Sequence, residues 1–141
     1  MTKKTDHKRS TPRRTKEFKR LFEPLDVWCM VNAFAVNAKI VEQLRTALQT
    51  IAMIDEPTWR AAATGDASAA IGLALRLVPG KSSPMAYRLV MTALVACAAE
   101  GNTAACIVMT YVLRNRIEVT RLERQIAESW AMRAVDAQFN Q

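Results

Sequence analysis

The side chains with acid–base or nucleophilic chemistry are few in this 141-residue chain: one histidine, His7, and three cysteines, Cys29, Cys97 and Cys106. A histidine beside a cysteine or serine makes a nucleophilic centre only when a scaffold fixes the base against the nucleophile. His7 lies within MTKKTDHKRSTPRRTKEFKR, a stretch without apolar periodicity, so no positioned base is expected. The cysteines lack metal-ligand spacing and sit among small apolar residues, the setting of core thiols in a reducing cytoplasm. Cys97 and Cys106 also flank a glycine turn, which leaves a redox pair as their second reading. Glu118, Glu123 and Glu128 complete the acid–base candidates. Interleaved with Arg121 and Arg124, they are expected to form ion pairs on a solvated helix face. The sequence has no glycine-rich phosphate loop, no nucleotide fingerprint and no zinc-type cluster. These residues predict a protein with no catalytic, cofactor-binding or metal-binding residues.

Charge is the next source of chemistry. The net charge is +7, and residues 1–20 account for all of it. They hold nine basic residues (Lys3, Lys4, Lys8, Arg9, Arg13, Arg14, Lys16, Lys19 and Arg20) against Asp6 and Glu17. The remaining 121 residues carry 11 basic and 11 acidic side chains and are neutral. Residues 1–22 are therefore expected to form a basic, disordered tail ahead of a single domain spanning 23–141. Such a tail attracts phosphates through salt-dependent contacts with the backbone of a nucleic acid. Solubilisation, nucleic-acid binding and attraction to an anionic protein or membrane surface all remain open as its role. The N-terminus is too charged for the apolar region of a signal peptide. The apolar run LVMTALVACAA has eleven residues, against about 20 for a bilayer span. Both features predict a cytoplasmic protein without a membrane span.

The elements that would position these residues are helical throughout. Only four Gly and five Pro accompany many Ala, Leu, Arg and Met residues, a composition that favours helix. Asp26 offers an N-cap to a long helix carrying Val27, Val31, Phe34, Ala38, Val41, Leu44, Leu48 and Ile51 at intervals of three and four. The flanks of its first half are apolar too (Trp28, Met30, Val36, Ile40), which leaves self-association open. Further helices are expected after Glu56–Pro57, after Asp66, after Ser83–Pro84 and after Asn102. The last is expected to begin near Ile117 and to bury Val119, Leu122, Ile126, Trp130, Ala134 and Ala137. No segment alternates at period two for long enough to predict a strand.

Two phrases repeat within this helical pattern. AAATGDASAAIGLAL begins at Ala61 and CAAEGNTAACIVMTY at Cys97, so Gly65 and Gly101 lie 36 residues apart. Each phrase reads as a helix ending in small residues, a glycine in a left-handed cap position, a capping residue and a second small-residue helix. Ile71 and Leu75, matched by Ile107 and Tyr111, are expected to fill the widening space between paired helices. The pattern resembles the Sel1-like repeat, a relative of the tetratricopeptide repeat, over residues 57–113. Ala67, Ile71, Gly72 and Leu75 fall on the family's first-helix motif, as do Thr103, Ile107, Val108 and Tyr111. Ala61, Ala62 and Gly65, then Cys97, Ala98 and Gly101, fall on the end of its second helix, and Gly80 on its loop. The motif's tryptophan and a glycine-containing loop after Tyr111 are absent. The resemblance implies antiparallel helical hairpins in a short α-solenoid and an adaptor that binds another protein. An irregular helix bundle is the alternative fold, and a nucleic-acid-associated protein acting through the tail is the alternative function.

Overall fold

The computed structural model of the chain describes residues 23–51, 56–77, 81–116 and 118–139. Among these the regular elements are helices, with no strand. A 3-10 turn (Glu23–Asp26) leads into α1 (Val27–Met30), a second 3-10 turn (Ala33–Ala35) and α2 (Ala38–Gln49). There follow α3 (Trp59–Thr64), α4 (Ala67–Leu75), α5 (Pro84–Ala99), α6 (Thr103–Arg114) and α7 (Arg121–Phe139). The basic side chains expected to bind phosphates, Lys3 to Arg20, lie outside the described residues.

Helix α5 organises the fold. Ser83 caps it, its hydroxyl accepting from the Ala86 amide, and Pro84 occupies the first turn, where its missing N–H is not needed. Ten consecutive residues, Leu89 to Ala98, are buried, so no face of this stretch meets solvent. Helices α1, α2, α3, α4 and α6 all pack on α5. Its small side chains Ala93, Ala96, Cys97 and Ala98 allow close approach, while Met91, Leu94 and Val95 fill the gaps. The buried Thr92 hydroxyl is satisfied by the Arg88 carbonyl at 2.6 Å.

The long helix expected from Asp26 is divided instead. Val31 turns to an extended conformation, as do Asn32 and Asn37. Each asparagine starts a new element: Asn32 Oδ1 accepts from the Phe34 amide and Asn37 Oδ1 from the Ile40 amide. Local capping by asparagine competes with helix continuation, and α7 takes up the groups released at the break. Ser129 Oγ accepts from the Ala33 amide at 2.9 Å, and Arg133 donates to the Ala33 and Val36 carbonyls. The fold-back buries Val27, Trp28, Ala33 and Val36 inside the chain. The fold-back thus covers Trp28 and Val36, while Met30 and Phe34 stay more than half exposed. Asp26 makes no side-chain cap; its carboxylate pairs with Arg88 at 3.0 Å.

The two repeated phrases form turns of one geometry. Gly65 and Gly101 have φ of 117° and 104°. The Asp66 amide reaches the Ala61 carbonyl and the Gly65 amide the Ala62 carbonyl; Asn102 reaches Cys97 and Gly101 reaches Ala98 in the same way. This is the Schellman pattern, and it closes two helix ends at sites 36 residues apart. The capping bonds match as well, from Ala69 N to Asp66 and from Ala105 N to Asn102. An alanine Cβ would meet ordinary contact with the Arg45 guanidinium at Gly65 and open space at Gly101, so the penalty for Gly→Ala is conformational. Gly65→Ala and Gly101→Ala are each expected to cost about 1–2 kcal/mol. Thermal melts showing one substitution harmless and the other severe would mean the turns are not equivalent.

Candidate interaction surface

Helix α7 begins at Arg121, with Thr120 Oγ1 accepting from the Glu123 amide. Its buried stripe is Ile126, Trp130 and Ala134, as the spacing predicts. Two expectations for this helix are overturned. Leu122 is exposed, and Glu123 is buried, at 8% accessibility. Glu123 lies inward because Arg116 enters with it and donates to its Oε2 at 2.6 Å. The Arg116 guanidinium stacks 4.7 Å from the Trp28 ring centre and 5.5 Å from that of Tyr87. The pair and its aromatic partners tie α1, α5 and α7 together, a stabilising cluster whose charges are matched.

Each thiol is driven toward its neutral form. Burial pushes Cys29 up to about 11, with Asp26 and Glu123 adding to the rise and Arg116 opposing it. Burial also raises Cys97, against the pull of Arg45, and Cys106, against Arg133. All three are free thiols, and Cys106 Sγ donates to the Ala98 carbonyl at 3.5 Å. Burial raises the Tyr87 hydroxyl in the same direction. In the unfolded chain these groups ionise at their ordinary values, 9.0 for cysteine and 10.0 for tyrosine. The folded state binds their protons more tightly, so their contribution is complete below about pH 9 and is lost as pH rises above the ordinary values, for Cys29 through about 11. Denaturant midpoints should therefore fall between pH 9 and 11; a flat profile over that range would refute the burial of these groups.

One open face among the described residues is apolar. Ile107 and Tyr111 of α6, Met132, Val135 and Phe139 of α7, and Phe34 of the second 3-10 turn are all more than half exposed. Tyr111 is 58% accessible, Met132 63% and Phe139 84%. The expectation that Ile107 and Tyr111 fill space between helices is thereby corrected; on α4, Leu75, the counterpart of Tyr111, is 55% exposed, while Ile71, the counterpart of Ile107, is half-buried against the core. The six side chains surround two adjoining hollows separated by Ala131 and Val135. One, of about 480 Å³, lies between α6 and α7 and is lined by Ile107, Tyr111, Arg114, Ala134 and Gln138. The other, of about 460 Å³, is bounded by Phe34, Met132, Asp136 and Phe139. The aromatic members alone, Phe34, Tyr111 and Phe139, at roughly 200 Å² each and these exposures, present about 400 Å². The largest apolar patch of a typical monomer is about 300–600 Å².

Sequence reasoning missed this surface, although its signal is present in the spacing. Met132, Val135 and Phe139 recur at three and four residues, a second apolar stripe beside the buried one. Among the described residues no three His, Cys, Asp or Glu side chains are grouped to hold a metal ion. No described helix is long and apolar enough to cross a membrane. Comparison with protein-family models, curated proteins and solved structures finds no match to this chain.

Proposed function

We propose that this chain is a non-catalytic protein-interaction module whose docking surface is the exposed apolar face of α6 and α7. The observation that carries this reading is the grouping of Ile107, Tyr111, Met132, Val135 and Phe139 around two adjoining hollows on one face. Apolar side chains at helical spacing beside an open hollow suit a partner helix laid along them. The neutral form of the thiols and the pairing of Glu123 with Arg116 speak against acid–base or nucleophilic work.

The kinship with Sel1-like and tetratricopeptide-like repeats belongs to the same proposal. It draws support from the matched turns at Gly65 and Gly101 and from the packing of α4 on α6. An open solenoid would leave its first and last elements apart, since repeats touch only their neighbours. Here α1 and the second 3-10 turn pack on α7. We infer two repeat-like hairpins closed into a bundle around α5, acting as an adaptor in the cytoplasm.

A second reading rests on the tail. Nine basic residues in residues 1–20, against a neutral remainder, favour phosphate contacts by Lys3 to Arg20. Capture with the intact chain, with a chain lacking residues 1–22 and with Tyr111→Arg, each with and without nuclease, separates the two. The adaptor reading requires a partner that survives tail removal and nuclease and is lost with Tyr111→Arg. A partner lost on tail removal and on nuclease treatment alike would favour the nucleic-acid reading.

A further inference from the structure

The groove between α6 and α7 and the ridge beside it belong to the same face of the same molecule. The ridge presents Met132, Val135 and Phe139, three anchors at the spacing used by a helix that lies in an apolar groove. The groove offers Ile107, Tyr111 and Ala134 as its walls. Arg114 lines one hollow and Asp136 the other, on opposite flanks of Val135. Both are exposed, and neither has an ion-pair partner among the described residues. We propose that the occupant of this face is a second copy of the chain, in a two-fold dimer in which each α7 ridge lies in the other's α6–α7 groove.

Self-complementarity carries this inference, which rests on the reading of the face as a docking surface. An isologous interface must contain both halves of each contact, because residue i meets j while j meets i. Here the ridge and the groove supply the apolar halves. Asp136 at the ridge and Arg114 at the groove edge supply opposite charges, and the two-fold brings the Asp136 of one copy to the Arg114 of the other. The three aromatic residues alone present about 400 Å², half of the roughly 800 Å² per partner of a standard interface, before Ile107, Met132, Val135 and a polar rim are counted. Residues 21–141 are neutral, so the two bodies add no long-range repulsion to that between the +7 segments of residues 1–20.

Sedimentation equilibrium of the full chain from about 1 µM to about 1 mM tests the proposal. A monomer–dimer equilibrium is expected in that range. Val135→Arg places a charge in the middle of the face and should weaken the dimer at least about 100-fold. Val135 is 51% exposed, so the variant should keep the wild-type melt; if it does not, Met132→Arg, at 63% exposure, is read in its place. Arg114→Asp and Asp136→Arg should each weaken association about tenfold, and the double charge swap should restore most of it. A monomer at every concentration, a dimer indifferent to both ridge variants, or a swap that fails to rescue would each overturn the assignment. If the chain stays monomeric while Tyr111→Arg still abolishes capture of a different protein, the second copy is wrong and the docking surface stands.

Discussion

Trp130→Ala is expected to lower the unfolding free energy by about 3–5 kcal/mol, a fall in Tm of roughly 10–20 °C for a chain of this size. Trp130 heads the fully buried side chains of the fold and lies on α7, which packs against α6, α1 and the second 3-10 turn. Removing the indole opens a cavity among elements that α5 holds in place from the other side, so collapse is restricted. The Arg133 guanidinium also loses the ring on which it stacks at 5.4 Å. The indole Nε1 is buried with no acceptor among the described residues, so the residue's contribution is packing without a hydrogen bond. Trp130→Phe should therefore cost less than half as much, since it keeps a ring while removing an unpaired donor. Equal losses for the two variants, measured by denaturant unfolding, would mean that the indole N–H has a partner.

The parts of this fold legible in the sequence are those decided within a few residues. Gly65 and Gly101, with Asp66, Asn102 and Ser83 behind or ahead of them, mark helix ends because capping is local chemistry. The buried stripe Ile126, Trp130 and Ala134 follows from period alone. The break at Val31–Asn37 is legible only in part: the caps at Asn32 and Asn37 are local, but the groups that satisfy the freed Ala33 amide and carbonyl sit on Ser129 and Arg133, about a hundred residues away. Glu123 reads as a surface residue until Arg116 is seen above Trp28 and Tyr87. The exposed face fails for a different reason. Periodicity identifies Ile107, Tyr111 and Val135 as apolar helix positions, but it does not say whether the surface covering them belongs to the same chain.

Arg133 joins these long-range effects, and its replacement should be nearly as costly as that of Trp130. One guanidinium nitrogen, Nη1, donates to the carbonyls of Ala33 and Val36, while Nη2 donates to Ala99 at 2.6 Å. The first two acceptors belong to the break in the N-terminal segment; the third is the last residue of α5, where helix carbonyls lack intrahelical partners. Arg133→Met keeps most of the aliphatic stem but leaves these carbonyls without their donor. A loss of about 2–4 kcal/mol is expected. Arg133→Lys should recover only a minor part, because a single ammonium cannot span acceptors that a planar fork reaches from two nitrogens. The effect should also be local. With the clamp gone, residues 31–37 should become open to proteolysis and amide exchange before the rest of the chain unfolds. Ser129→Ala acts on the same segment by removing the acceptor for the Ala33 amide, so its cost and that of Arg133→Met should not add. Additive costs would mean that the two side chains hold Ala33 independently. An Arg133→Met variant within about 0.5 kcal/mol of wild type would remove the clamp altogether as the reason the expected long helix is divided.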